Sequence, residues 1–290
     1  MTVDPKVVEA WDAEYRNGRY SDDPPDPFVD EILSAARSRG LVGGPALEVG
    51  CGNGRNYRAL VAGGLDVLGL DISATALAQL AARSPERRGK LVLGDLDVLP
   101  AGATYPVVVG LQVFQHGDRA TAHDHLRRAQ RRVPPGGLFG LRVNAVGTDL
   151  AHAHEVVERG PDGGFTVRYT SGPKAGLLVR FFAREELTDL FRPGFAAVLP
   201  LRAVATARDP PATGRWVQWE AIWERTAPVP PAQAGPSSVA RTASASGNEG
   251  GGPRGGRRIS PRSRRTTASG APPPSTTRNR RPRTGPIRRR

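Results

Sequence analysis

The sequence predicts an α/β fold: a mostly parallel seven-stranded sheet with helices on both faces, closed by an antiparallel C-terminal hairpin. Three observations predict it. Short apolar runs alternate with helical stretches from Ala46 to Val143, the pattern of strands buried on both faces. The first run ends in a glycine-rich turn that opens a helix, Gly50-Cys51-Gly52-Asn53-Gly54. The last strand alternates instead, Trp216, Gln218 and Glu220 against Val217, Trp219 and Ala221, and a Pro/Gly-rich loop ties it to the strand before.

The elements follow in order. Residues from Lys6 to Tyr15 favour helix, and a breaker-rich stretch, Ser21 to Pro27, ends that passage. Asp26 reads as an N-cap with Pro27 at the first helical position, and the helix runs to about Arg39. Strands are expected at Ala46–Val49, Asp66–Leu70, Lys90–Leu93, Val107–Leu111 and Leu138–Val143. Helices between them span Asn56–Ala62, Ser73 (as cap) to Ala82, and Asp118 to Arg132. Residues 145–180 mix Gly, Asp and short alternating pieces and read as an irregular insertion containing a hairpin. A helix over Ala183–Phe191 and two strands, Ala196–Leu201 and Arg215–Glu224, complete the fold. Trp216, Trp219 and Trp223 on the last strand read as core and sheet packing rather than a ligand cage.

Three regions emerge: a helical cover over 1–40, the main domain over 41–226, and a tail over 227–290. The tail holds 14 Arg and one acid, Glu249, against 41 basic and 28 acidic residues in the whole chain. Residues 1–226 therefore hold 27 of each and are formally neutral. The excess of +13 belongs to the tail, so the domain does not read as a basic nucleic-acid binder. The tail lacks the apolar surface to offset chain ordering and is expected to be disordered. Weak, salt-dependent binding to polyanions is the one role its composition suggests. The single cysteine, Cys51, excludes an internal disulfide framework and a cysteine zinc site. No apolar run reaches the roughly 18 residues of a membrane span, and the N-terminus lacks the apolar core of a secretory signal. A cytoplasmic protein without membrane contact is expected.

The chemistry concentrates at three strand ends. Glu48-Val49-Gly50-Cys51-Gly52-Asn53-Gly54-Arg55-Asn56 runs from strand through loop into helix. Glycines allow close backbone approach and positive φ, and helix N-terminal amides suit a polar or anionic group. The dinucleotide fingerprint G-x-G-x-x-G would need glycine at position 55, where Arg55 stands. Asp71 ends the second strand, 21 residues after Gly50, and Asp95 ends the third. All three features fall at the carboxyl edge of one parallel sheet, where open α/β sheets bind ligands.

The E-x-G-x-G-x-G loop followed by these two acids resembles the class I S-adenosylmethionine-dependent methyltransferases, a Rossmann-like family, over roughly residues 10–225. The resemblance implies S-adenosylmethionine as cofactor. It implies a loop of Glu48, Gly50, Cys51, Gly52, Gly54 and Asn56 around the amino acid and ribose. Asp71 with Ile72 would take the ribose hydroxyls. Asp95 would take the adenine amino group, with the Leu96 amide facing the ring. Leu111 and Gln112 fall in the family's segment near the methyl group and adenine. The acid that many relatives carry before that strand is replaced by Tyr105-Pro106. The loop form is similar to tellurite-resistance-type and thiopurine-type methyltransferases. So are Trp11-Asp12-x-x-Tyr15, Pro25-x-Pro27-Phe28 and the run from Phe181 to Phe191.

Methyl transfer needs a base only when the acceptor must lose a proton, so acceptor residues are harder to read than cofactor residues. His116 is the candidate base. Trp11, Tyr15, Arg142 and Asn144 are the candidate substrate residues, with His152 and His154 beside them. His152-x-His154 has no evident third ligand, so no metal is expected. The leading reading is methylation of a small-molecule acceptor. Its alternatives are RNA or protein methylation tethered by the tail, and a noncatalytic binding protein on the same fold.

Overall fold

In the computed structural model, residues 4–20, 23–208 and 213–226 are described; the tail expected to be disordered lies outside them. The cover consists of α1 (Pro5–Arg16) and α2 (Phe28–Ser38). Then come β1 (Pro45–Val49), α3 (Tyr57–Ala62), β2 (Asp66–Asp71), α4 (Ala74–Arg83), β3 (Leu91–Leu93), β4 (Val107–Leu111), α5 (Arg119–Gln130) and β5 (Leu138–Asn144). After β5 the chain forms β6 (His154–Arg159), β7 (Phe165–Tyr169), β8 (Leu178–Phe181), α6 (Arg184–Phe191), β9 (Phe195–Ala207) and β10 (Arg215–Arg225).

Seven strands form the main sheet in the order β3-β2-β1-β4-β5-β10-β9. The pairs β2–β3, β1–β2, β1–β4 and β4–β5 are parallel, and β10 runs antiparallel to both β5 and β9. The strand order reverses between β1 and β4, which opens a crevice at their carboxyl ends. Each strand feeds apolar side chains to alternate faces. Leu47 and Val49 pack with Leu126 and Leu187 on one side, and Ala46 packs with Ile32, Leu60 and Leu80 on the other.

The helix starts follow local chemistry. Ser73 accepts from the Ala76 amide at 3.0 Å and Asp118 from the Thr121 amide at 2.8 Å, satisfying amides that no helical carbonyl reaches. Asp26 accepts from the Phe28 amide at 3.1 Å. The tryptophans pack as expected: Trp223 stacks on Phe191 at 3.7 Å, and buried Trp219 donates to the Phe182 carbonyl at 2.8 Å.

Residues 145–180 depart from the expected irregular insertion. They hold a three-stranded antiparallel sheet, β6-β7-β8. Isolated bridges tie it to the main body at His116–Val179 and Ala145–Phe182. At its base the wholly buried Arg180 pairs with Glu186 of α6 at 2.8 Å, and His123 of α5 reaches the same carboxylate at 2.6 Å. Among the described residues, no helix is long and apolar enough to cross a membrane.

Candidate active site

The loop after β1 turns back on β2. The amides of Gly50 and Cys51 both donate to the Leu70 carbonyl, at 2.7 and 3.1 Å. The Gly52 amide donates to Asp71 Oδ2 at 2.7 Å, and the Ser73 amide completes Asp71 at Oδ1, 2.8 Å. Burial pushes the Asp71 carboxyl up, against the pull of these amides. Gly52 has φ +55, and a Cβ there would lie 2.4 Å from Tyr15 Oη; at Gly50, φ +70, it would lie 2.7 Å from Val113 Cγ2. The loop is thus glycine because α1 and the segment after β4 press directly on its backbone.

α1 lies over this loop and is fastened to α4. Asp12 Oδ1 accepts from Ser73 Oγ at 2.5 Å and from the Thr75 amide at 3.1 Å. The Tyr15 carbonyl accepts from Gln79 Nε2 at 3.0 Å. Beneath α1 is a cavity of about 550 Å³. Trp11, Tyr15, Gly50, Asp71, Ile72, Asp95, Gln112 and His116 all line it. Cys51, Gly52, Asn56 and Leu111 line a smaller hollow of about 70 Å³ that shares Trp11, Tyr15, Gly50 and Gln112 with it. Gly54 (φ +95) lines neither hollow and packs against Leu80 as the loop enters α3. Asn56 accepts from the Asp26 amide at 2.9 Å.

Asp95 is held tightly. Its Oδ2 lies 2.8 Å from the Arg128 guanidinium, and its Oδ1 accepts from the Leu96 amide at 2.6 Å with His125 Nε2 at 3.3 Å. Burial alone would raise this carboxyl, but His125, Leu96 and Arg128 together hold it far below the usual carboxylate range. The Leu96 amide is thereby engaged by Asp95, and the buried Leu96 does not line the cavity.

Both ring nitrogens of His116 are shielded from solvent, and the Gln112 backbone favours its protonated form. Its ring meets Trp11 edge-on, with centroids 5.0 Å apart. Burial, then the nearby Lys174 ammonium, push its pKa down to about 3, so the imidazole is neutral. Gln112, one turn before, holds φ +62 and donates its amide to the Arg142 carbonyl at 2.7 Å.

Besides Gly54 and Leu96, other expected site residues lie away from the cavity. Glu48 lies buried beneath the loop; burial and Asp71 push its carboxyl well up, and Oε2 has no partner among the described residues. Arg142 pairs with Asp26 and Gln218, with Glu220 at 3.4 Å, and is a buried tie between β5, β10 and the cover. Asn144 accepts from Trp216 Nε1 at 3.0 Å. The side chains of both point toward β10 and the cover, away from the cavity. His154 turns to the His152 carbonyl on an exposed edge, and no metal-binding group occurs among the described residues.

Three residues escaped the sequence reading. His125 and Arg128 line the cavity with Thr121 and Asp124. Their spacing of three and four puts them on one face of α5, a signal present in the sequence. Lys174, in the loop between β7 and β8, places Nζ 5.8 Å from the Trp11 ring centroid; no periodicity marks it.

A cavity of this size, with a carboxylate at each of two strand ends and an apolar lining between, fits a nucleoside ligand. Residues 47–139 match the family described as a methyltransferase domain. No curated protein matches the chain. Among solved structures, the chain is similar to a Burkholderia thailandensis 1,6-didemethyltoxoflavin-N1-methyltransferase with 1,6-didemethyltoxoflavin and S-adenosylhomocysteine bound. The two are 19% identical with a TM-score of 0.53, over 78% of this chain and 92% of that one. It is also similar to an S-adenosylmethionine-dependent methyltransferase from Methanosarcina mazei, 16% identical, TM-score 0.51, over 70% and 99% of the two chains. A third, from Clostridium acetobutylicum, is 14% identical, TM-score 0.50, over 77% and 98%. At these identities the likeness is one of fold. Residues 47–139 match a methyltransferase domain, on a fold shared with S-adenosylmethionine-dependent methyltransferases.

Proposed function

We propose that the chain methylates a small-molecule acceptor held beneath α1. The observation that carries this reading is a cavity running from Gly50 and Asp71 past Asp95 to His116 under Trp11 and Tyr15. A pocket of that volume suits a nucleoside and a small partner better than a folded macromolecule. The bound small molecule of the Burkholderia thailandensis structure supports the same reading.

In this reading Gly50, Cys51, Gly52, Gly54 and Asn56 shape the loop against the cofactor. Asp71 receives the ribose hydroxyls, with Ile72 beside it. Asp95 receives the adenine amino group. Leu111 and Gln112 border the methyl end. Glu48 supports the loop from below. S-adenosylmethionine supplies an electrophilic methyl on a cationic sulfur, so the protein's task is to align the acceptor and keep water out. Trp11 and Tyr15 cover the site, and His116, held neutral, accepts the acceptor's proton. The narrower kinship with tellurite-resistance-type and thiopurine-type enzymes rests on the sequence pieces alone.

Thermal unfolding of the full chain with and without S-adenosylhomocysteine tests the cofactor reading. Ligand at about 100 times its Kd adds about 2.7 kcal/mol. A cooperative melt that does not move at millimolar ligand would overturn it. Labelled S-adenosylmethionine incubated with fractionated cell extract tests the acceptor reading. Label is expected in the low-molecular-weight fraction, and label confined to RNA or protein would refute a small acceptor.

A further inference from the structure

A cation without an ion-pair partner among the described residues stands against Trp11, which lines the cavity. Lys174 is partly buried beside Trp11, and its ammonium makes no hydrogen bond or ion pair among the described residues. The nearest acid along α1, Glu14, is paired with Arg19 at 2.9 Å. Burial, then Arg19, depress the Lys174 ammonium to about 8 in spite of Glu14. His116 also meets Trp11, edge-on with centroids 5.0 Å apart, and the Lys174 charge reaches it. Val7, Val113, Leu177 and Leu178 give the cavity an apolar lining.

A desolvated cation is costly unless a charge or hydrogen bond meets it. The π face of Trp11 compensates in part, and no described residue hydrogen-bonds or pairs with the ammonium. An imidazole held near 3 is also a weak base at neutral pH. One ligand group would relieve both defects. An anion beside Lys174 pairs with the ammonium and cancels the positive charge that disfavours a proton on His116.

We propose that the acceptor is a planar aromatic acid: its anionic oxygen pairs with Lys174, its ring lies against Trp11, and its methyl-accepting O–H or N–H faces His116. This rests on the methyltransferase reading above. In the transfer, the acceptor heteroatom bonds to the methyl carbon and the carbon–sulfur bond breaks, its electron pair staying on sulfur. The acceptor's proton moves to His116 and then to water. The carboxylate is unchanged, so charge balances with the loss of the sulfonium's positive charge to the released proton.

The test is equilibrium binding to the full chain saturated with S-adenosylhomocysteine. Salicylate, anthranilate and kynurenate serve as probes, each paired with its primary amide. At least one acid is expected to bind about tenfold tighter than its amide, as for a desolvated charge pair. Lys174→Gln should bring that pair within about twofold, and Lys174→Arg should restore the preference. S-adenosylhomocysteine affinity should be unchanged in both variants, which also shows that they fold. Equal binding of acid and amide, a preference that survives Lys174→Gln, or no binding by any of the six compounds overturns the assignment. A wild-type chain that fails to bind S-adenosylhomocysteine would instead bring down the cofactor reading, and this one with it.

Discussion

The Gly52 amide donates to Asp71 Oδ2 at 2.7 Å, which makes the loop after β1 and the acid after β2 one hydrogen-bonded unit. Asp71→Ala removes the acceptor for both the Gly52 and Ser73 amides as well as the proposed ribose contact. Hydrogen bonds to a charged group contribute about 1.5–3 kcal/mol each. We expect S-adenosylhomocysteine affinity to fall by about a hundredfold or more by titration calorimetry. Asp71→Asn, which keeps one carbonyl acceptor, should fall between. An Asp71→Ala variant that binds like wild type would remove Asp71 from the site.

Tyr15 and Gly52 test whether the cover and the loop are packed as one. A methyl on Gly52 meets Tyr15 Oη at 2.4 Å but the ring carbon Cζ only at 3.2 Å. Gly52→Ala should therefore destabilise by about 1–3 kcal/mol, from overpacking and from φ +55. Tyr15→Phe removes the nearer clash, so the double variant should be more stable than the sum of the single losses predicts. Strict additivity in urea melts would mean that α1 does not press on the loop in solution.

Arg128 holds Asp95 at 2.8 Å. It fixes a carboxylate that accepts hydrogen bonds and never donates. Such a site should prefer adenine, which donates from its amino group, over hypoxanthine, which presents a carbonyl there. S-inosylhomocysteine should bind at least about tenfold weaker than S-adenosylhomocysteine. Arg128→Gln should lose part of that preference, because Asp95 is freed to turn or protonate. A variant that weakens both ligands equally would reduce Arg128 to a structural role.

The parts of this molecule that obey local rules are readable from sequence. Ser73 and Asp118 each cap through an amide three residues on, and Asp26 accepts from the Phe28 amide just ahead of α2, so these contacts need no tertiary knowledge. Arg142 and Asn144 are different. Their position at the end of β5 is legible, but their direction is set by pairing with Glu220 and Gln218 of β10, residues more than 70 positions away. Residues 145–180 are harder still. β6 is almost wholly exposed, so its sequence carries no apolar alternation, and only pairing with β7 makes it a strand. Lys174 meets Trp11, a cavity residue, only through the tertiary fold, which no spacing rule encodes.

His116 makes the protein's stability depend on acid in a defined window. Its pKa is 6.5 when free and about 3 in the fold, because burial and then Lys174 penalise the imidazolium. Between those values the unfolded chain binds a proton that the folded chain refuses. Stability from this residue is therefore fully present above pH 6.5 and is lost as pH falls toward 3. The slope reaches about 1.4 kcal/mol per pH unit in that window. Other groups also titrate there, so the informative quantity is the difference from His116→Gln, which has no proton to gain. Urea melts of both proteins from about pH 7.5 down to about pH 4.5 should converge as the wild type loses its advantage. Curves that stay parallel would mean that the imidazole titrates in the fold as it does free, and that burial does not hold it neutral.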